Sequence, residues 1–240
     1  MPNVLHVSKI YYPEIFGGVQ QAIQNIADGG VDYGYHSKVF ALSKEPNSDA
    51  FDVGRHQAVT FEQQFFMAST GFSFAAFEPF HKLSQEADII HYHFPWPFMD
   101  ILHIFSRVKK PTIVTYHSDI VKQRKLLHLY APLMHYFLQN IDTIVATSPE
   151  YLRSSPVLQR YKKKTTVIPI GISAEEIAVR PDIVERWRLK VGEGFFLFLG
   201  ALRYYKGLEI LLDAARKTNL RIVIAGTGDQ KKVLEDRAPN

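Results

Sequence analysis

The chain has 240 residues, 46% of them hydrophobic and 22% charged, the balance of a soluble globular protein with room for one large domain and part of another. It contains no cysteine, which excludes disulfides and thiolate chemistry and suits a reducing compartment. A formal charge of +4 with a pI near 9.1 falls short of a dedicated nucleic-acid binder, and no basic stripe or reading motif is present; it favours anionic small molecules or an acidic membrane face.

The N-terminus, Met1-Pro2-Asn3 before Val4-Leu5-His6-Val7, lacks a charged leader and a cleavage site, and no apolar run is long enough to span a membrane. A cytoplasmic protein is expected. Strands are predicted at Val4–Ser8, Lys38–Leu42, Ile89–His93, Thr112–Tyr116, Thr143–Thr147, Thr165–Ile168, Phe195–Leu199 and Arg221–Ala225, with a weaker one near Ala58–Phe61. Near-continuous apolar strands alternating with helices imply an α/β fold with a mainly parallel sheet covered on both faces.

The first helix places Val19, Ala22, Ile23, Ile26 and Ala27 on one buried face. A second stretch, Val121 to Leu138, carries Leu126, Leu127, Leu129, Tyr130, Leu133, Met134, Phe137 and Leu138, with Pro132 predicting a kink or break. A third helix repeats the spacing at Leu208, Leu211, Leu212 and Ala215. Composition shifts at Pro169 and Gly171, so residues 1–166 form one domain, 167–173 a linker and 174–240 an incomplete second domain. That last part reads as an opening βαβ unit, too small to bury both faces of a sheet.

Five clusters lie at or after the carboxyl ends of strands, where open α/β sheets bind ligands. Gly17 and Gly18 lead into the first helix, where bare backbone lets a phosphate approach the positive end of the helix dipole; an ordinary turn is the simpler reading. The pattern is not G-x-G-x-x-G, so a dinucleotide cofactor gains no support. His91 and His93 fall on one side of their strand, but no third ligand at a convincing spacing accompanies them, and histidines held by the fold or lining a cleft are expected instead of a metal site. Tyr116-His117-Ser118-Asp119 follows a buried strand, with Ser118 or Asp119 also suited to cap the next helix; no G-x-S-x-G elbow points to a hydrolase. Gly200 to Gly207 carries Arg203 and Lys206 ahead of a helix, a suitable arrangement for a diphosphate, with two solvated surface cations as the plain alternative. Gly226 and Gly228 follow the next strand, where a nucleotide could approach closely.

In order and spacing these signals, with Val167-Ile168-Pro169-Ile170-Gly171-Ile172 between them, resemble the GT-B glycosyltransferases of retaining family 4 over almost the whole chain. Thr115 to Lys125, Ala146-Thr147-Ser148-Pro149 and the Arg203 to Gly207 loop are most similar to bacterial enzymes of O-antigen or other polysaccharide synthesis, several of which use GDP-mannose. The resemblance implies a complete N-terminal Rossmann-like domain and the opening βαβ unit of a second. It implies catalytic roles for His117 beside the transferred sugar and for Lys206, with Arg203, at the donor diphosphate. Substrate contacts are implied at Gly17, Gly18, Asp119, Gly226 and Gly228, with no cofactor or metal because cations and helix dipoles take a metal's place. Domain closure would exclude water and favour transfer over hydrolysis. The sequence departs from the family at Ala201, where an arginine is usual, and at Ile170 and Ser173, where Asn and Asp are favoured. The family's paired glutamates lie beyond Asn240, so the chain by itself is expected to be weakly active or inactive.

The expected partners are a nucleotide sugar, a saccharide acceptor carried on a polyprenyl diphosphate, and an anionic membrane at its inner face, but no nucleic acid. The membrane expectation rests on Phe65-Phe66-Met67, Phe72 to Phe77 in a loop or helix, and the cations Lys122, Arg124 and Lys125; a buried core with a solvated basic face is the alternative. Two other functions are weighed: a non-catalytic fragment that binds acceptor or partner only, and a GT-B epimerase of UDP-sugars.

Overall fold

A computed structural model describes residues 1–47, 49–67, 70–120, 124–172, 178–218 and 220–238, with backbone alone for Arg124 and Lys125. Val121, Lys122 and Ser173 therefore lie outside the described residues, as does Asn240. The chain divides into two units, residues 1–173 and 174–240.

In the first unit the elements are β1 (Asn3–Val7), α1 (Gly18–Asp32), β2 (His36–Ser43), β3 (Phe51–Val53), β4 (His56–Glu62), β5 (Phe65–Met67), β6 (Thr70–Phe72) and α2 (Phe77–Glu86). They continue as β7 (Ile89–Phe94), α3 (Pro97–Phe105), β8 (Thr112–Tyr116), α4 (Arg124–Asn140), β9 (Thr143–Ala146), α5 (Pro149–Ser154), α6 (Pro156–Arg160) and β10 (Thr165–Val167). Eight strands form one sheet in the order β10-β9-β8-β7-β1-β2-β4-β3. All its pairs are parallel except β3 on β4. Placing β1 between β2 and β7 makes it the point where the strand order reverses, where this class of sheet leaves a crevice at the carboxyl edge.

Strand alternation divides the side chains between two faces. Leu5, Val7, Phe40, Leu42, Ile90, Tyr92, Phe94, Val114 and Tyr116 enter the main core with α2, α3 and α4. On the opposite face Val39 and Ala41 pack with Ile23 of α1. Ile26, expected on the buried face of α1, is 38% exposed, and in α4 Leu126 is 49% exposed and Leu129 81%. Each lies at the margin of an apolar stripe whose inner members, such as Ile23, Met134 and Phe137, are buried.

Pro132 does not break its helix: α4 runs unbroken from Arg124 to Asn140. The proline is on the solvent side, where the carbonyl it leaves unbonded can be hydrated, while Met134, Phe137 and Leu138 anchor the inner face. The aromatic segment also differs from the loop or helix expected. Phe65–Met67 and Thr70–Phe72 pair as an antiparallel hairpin, and α2 begins only at Phe77. Three-residue strands are too short to show a period-2 pattern, and the short β3 escapes notice for the same reason.

In the second unit, α7 (Pro181–Val191) precedes β11 (Phe196–Leu199), α8 (Leu208–Lys217), β12 (Ile222–Ala225) and α9 (Lys231–Arg237). β11 and β12 are parallel, with a small core of Leu202, Leu208, Leu212 and Leu234. Phe196, Leu197 and Leu199 stay more than half exposed, as expected of a sheet with too few layers to cover it.

Candidate functional site

The loop from β1 to α1 is held by side-chain bonds rather than by regular structure. Tyr11 Oη meets His56 Nε2 at 2.9 Å, and His56 Nδ1 meets Asp28 Oδ1 at 2.7 Å, tying the loop to β4 and α1. Gln20 donates from Nε2 to the Ile10 carbonyl. This places Gly17 as the N-cap of α1 and Gly18 as its first residue. Neither has a positive φ, and a Cβ on Gly18 would meet nothing within 4 Å. The fold therefore gives no reason for a glycine at position 18, and open space lies against the first turn of the helix.

His117 follows β8, half-buried, with its backbone N–H donating to the Phe94 carbonyl. Its Nε2 lies 3.0 Å from His93 Nδ1, and His93 Nε2 lies 3.2 Å from His6 Nδ1. His91 Nε2 bonds Thr115 Oγ1 at 2.8 Å. The cluster follows from register: His6 pairs with Val39 on one side and His91 on the other, while His93 pairs with Thr115. All point away from the main core, and the rings stack at centroid distances of 4.6 to 5.5 Å.

Burial disfavours the charged form of these rings, and neighbouring imidazoles add to the effect for His6, His91 and His93. His6 and His93 are held well below the usual histidine range, His91 is pushed down to about 3 and His117 to about 4. The cluster is neutral at physiological pH. His6 is the third partner that spacing along the chain did not offer to His91 and His93, because β1 and β7 are neighbours only in space. The nearest nitrogens of His6, His91 and His93 all lie within 4.8 Å of one another, the one such group among the described residues. His6 Nδ1 and His93 Nε2 lie within hydrogen-bond distance of each other, and His91 Nε2 bonds Thr115 Oγ1.

Asp119 is structurally committed. Its Oδ1 accepts from Tyr116 Oη and from Ser155 Oγ, both at 2.9 Å. Ser155 is in turn the N-cap of α6, accepting from the Leu158 N–H. The alternative of a helix cap by Ser118 or Asp119 depends on residues 121–123, outside the described set.

In the second unit the loop after β11 carries Arg203, 46% exposed at its side chain, in an ion pair with Asp229 at 3.3 Å. Lys206 Nζ stands 5.7 Å from the Tyr205 ring centroid. Gly207 caps α8 in the left-handed region at φ 67°. Gly226 is required by the fold itself: its φ is 156°, and a Cβ there would come within 1.9 Å of the Gly200 carbonyl oxygen. A Cβ on Gly228 would strike the Leu202 carbonyl oxygen at 2.4 Å. The neighbouring loop thus makes a close backbone approach at both glycines.

Two of the cavities in the first unit lie elsewhere. One of about 470 Å³ opens at the amino ends of β1, β2 and β4, beside Asn3, His36 and Arg55, the edge that open α/β sheets do not use for ligands. The other, about 660 Å³, is almost wholly apolar and lies between the β5–β6 hairpin and α3, lined by Phe65, Phe66, Met67, Phe74, Phe98 and Ile101. Phe65, Phe66, Met67 and Phe74 are each more than half exposed, so this part of the aromatic segment is not core. Phe72 and Phe77 do pack against the core.

A mainly parallel α/β sheet in the first unit and a parallel βαβ unit in the second are the elements of a GT-B glycosyltransferase fold. Comparison with known proteins agrees: the family described as Glycosyltransferase Family 4 matches residues 16–176, and Glycosyl transferases group 1 matches residues 179–240. The chain belongs to glycosyltransferase family 4. It is 46% identical over 226 residues to the O-antigen chain mannosyltransferase C of Escherichia coli, covering 94% of this chain and 61% of that protein. It is 45% identical over 238 residues to the D-rhamnosyltransferase WbpZ of Pseudomonas aeruginosa, covering 98% and 62%. The chain thus spans about three fifths of the length of these relatives. Among solved structures, the sucrose-phosphate synthase of Thermosynechococcus elongatus shares the fold with a TM-score of 0.69 at 18% identity, over 100% of this chain and 70% of that one. Anabaena HepE in complex with UDP and glucose does so with a TM-score of 0.68 at 16% identity, over 99% and 65%.

Proposed function

We propose that the chain contributes to a transferase that moves a sugar from a nucleotide-diphosphate donor to a growing bacterial polysaccharide, with retention of configuration. The observation that carries this reading is the loop from Gly200 to Gly207, which sets Lys206 and Arg203 immediately before the N-terminus of α8. Two cations and free helix N–H groups supply the charge that a departing diphosphate needs. The exposed Arg203–Asp229 pair is weak enough for a phosphate to displace the carboxylate. On the first unit, His117 is the candidate contact to the transferred sugar, and Gly18 leaves the α1 terminus accessible. With cations and helix dipoles in these places, the reading needs no metal.

GDP-mannose is the favoured donor, supported by the relatives named for mannosyl and D-rhamnosyl transfer. The acceptor is read as lipid-linked, at the inner face of the membrane, with the exposed Phe65, Phe66, Met67 and Phe74 as the contact. Among the described residues no helix is long and apolar enough to cross a membrane. Calorimetric titration of the chain with GDP and UDP tests donor binding. Micromolar binding of GDP supports the reading, and its absence favours a fragment that engages only acceptor or partner. Liposome flotation with anionic lipid at low salt tests the membrane contact, which fails if the protein stays in the soluble fraction.

A further inference from the structure

The buried histidines have a consequence that follows from their bonding alone. A neutral imidazole has one N–H and one bare nitrogen, so it donates on one side and accepts on the other. Here both contacts have the same form: the Nδ1 of one ring faces the Nε2 of the next, from His6 to His93 at 3.2 Å and from His93 to His117 at 3.0 Å. Only two arrangements satisfy both bonds. Either all three rings carry the proton on Nδ1, or all three carry it on Nε2. Any mixture leaves two N–H groups, or two bare nitrogens, facing each other inside the protein, where an unmade bond is costly. His6 and His93 are 1% and 3% exposed, so water does not readily rescue a mismatch.

We propose that His93, held by His6 behind it, is a positioning residue that fixes the tautomer of His117. The Nδ1 of His117 is the ring nitrogen not spent on this chain. In the first arrangement it is a fixed N–H donor, in the second a fixed acceptor, and in neither does the ring change tautomer to suit a ligand. Within either arrangement a hydroxyl presented to His117 meets one hydrogen-bonding polarity, and reversing it requires all three rings to change together. Predetermined polarity lets a site favour one hydroxyl orientation without reorganising at the moment of reaction. Burial keeps all three rings uncharged near neutral pH, which preserves the one-donor, one-acceptor condition.

The bearing on sugar selection rests on the reading of His117 as a substrate contact; the tautomer coupling itself does not. The test is long-range proton–nitrogen NMR of the 240-residue chain with labelled histidine at pH 7.5. The expected result is a single tautomer for His6, His93 and His117, the same in all three. Unlike tautomers, or a His117 that averages rapidly between both, would overturn the proposal. His93→Leu removes the partner of His117 while leaving His117 itself in place, and its ring is expected to populate both tautomers. A His117 that keeps one tautomer in that variant also overturns the proposal, because another group must then be holding it. If His93→Leu does not fold, the wild-type measurement still decides. None of these readouts uses transfer activity, so failure of the glycosyltransferase reading would appear separately, as loss of nucleotide binding.

Discussion

The same histidines, together with His103 of α3, whose Nδ1 meets Tyr92 Oη at 2.9 Å, should make the protein acid-sensitive in a window where few other groups titrate. In the unfolded chain a histidine takes up a proton near pH 6.5. In the folded chain burial pushes His91 to about 3, His103 and His117 to about 4, and His6 and His93 well below the usual range. A depressed pKa means the unfolded state binds more protons as pH falls, so stability is whole above pH 6.5 and is lost on acidification. Each such group costs about 1.4 kcal/mol per pH unit, or about 2 kcal/mol by pH 5. Buried Asp100 acts in the opposite sense, because burial holds its carboxyl well above the carboxylate range and acidification reduces the cost of keeping it neutral. Five histidines against one carboxyl leave a net loss of up to about 8 kcal/mol at pH 5, within the whole stability of an ordinary domain. Thermal unfolding followed by circular dichroism should therefore show a midpoint roughly 20 °C lower at pH 5.0 than at pH 7.5. His91→Gln should flatten that dependence by about 1.4 kcal/mol per pH unit. Equal stability at the two pH values would refute the reasoning, since it requires these rings to accept protons in place.

Asp100→Asn should steepen the loss of stability between pH 7.5 and pH 5, as read by urea unfolding, because it removes the buried carboxyl that acts against the histidines. Trp96→Phe removes the 3.0 Å bond from the indole to the Gly71 carbonyl and should cost about 1–3 kcal/mol, with faster amide exchange in the β5–β6 hairpin. Lys206→Ala should weaken GDP binding at least tenfold in calorimetry with an unchanged thermal midpoint, since the side chain is exposed. Phe66→Ser should lower recovery in the floated liposome fraction without loss of stability, its ring being 63% exposed.

The class of fold and the loops that follow the carboxyl ends of its strands were legible in the sequence. Parallel strands buried on both faces must be apolar along their length, and the helix stripes at Val19 to Ala27 and Leu208 to Ala215 are periodic enough to count. The carboxyl-edge rule then selects Gly17, His117 and Lys206 from position alone. What the sequence could not show was adjacency. His6 lies more than eighty residues from His91 and His93, and only the insertion of β1 between β2 and β7 makes them neighbours. Nor could it show that the Oδ1 of Asp119 accepts from Ser155, the N-cap of α6 thirty-six residues away. The demand for glycine at 226 and 228 is likewise non-local, since a Cβ at either would strike the backbone at Gly200 or Leu202. Periodicity and composition are local properties, and they determine which elements form and which face each one buries. Hydrogen-bond partners and steric vacancies are pairwise properties between distant segments, so they exist only once the sheet order and register are set.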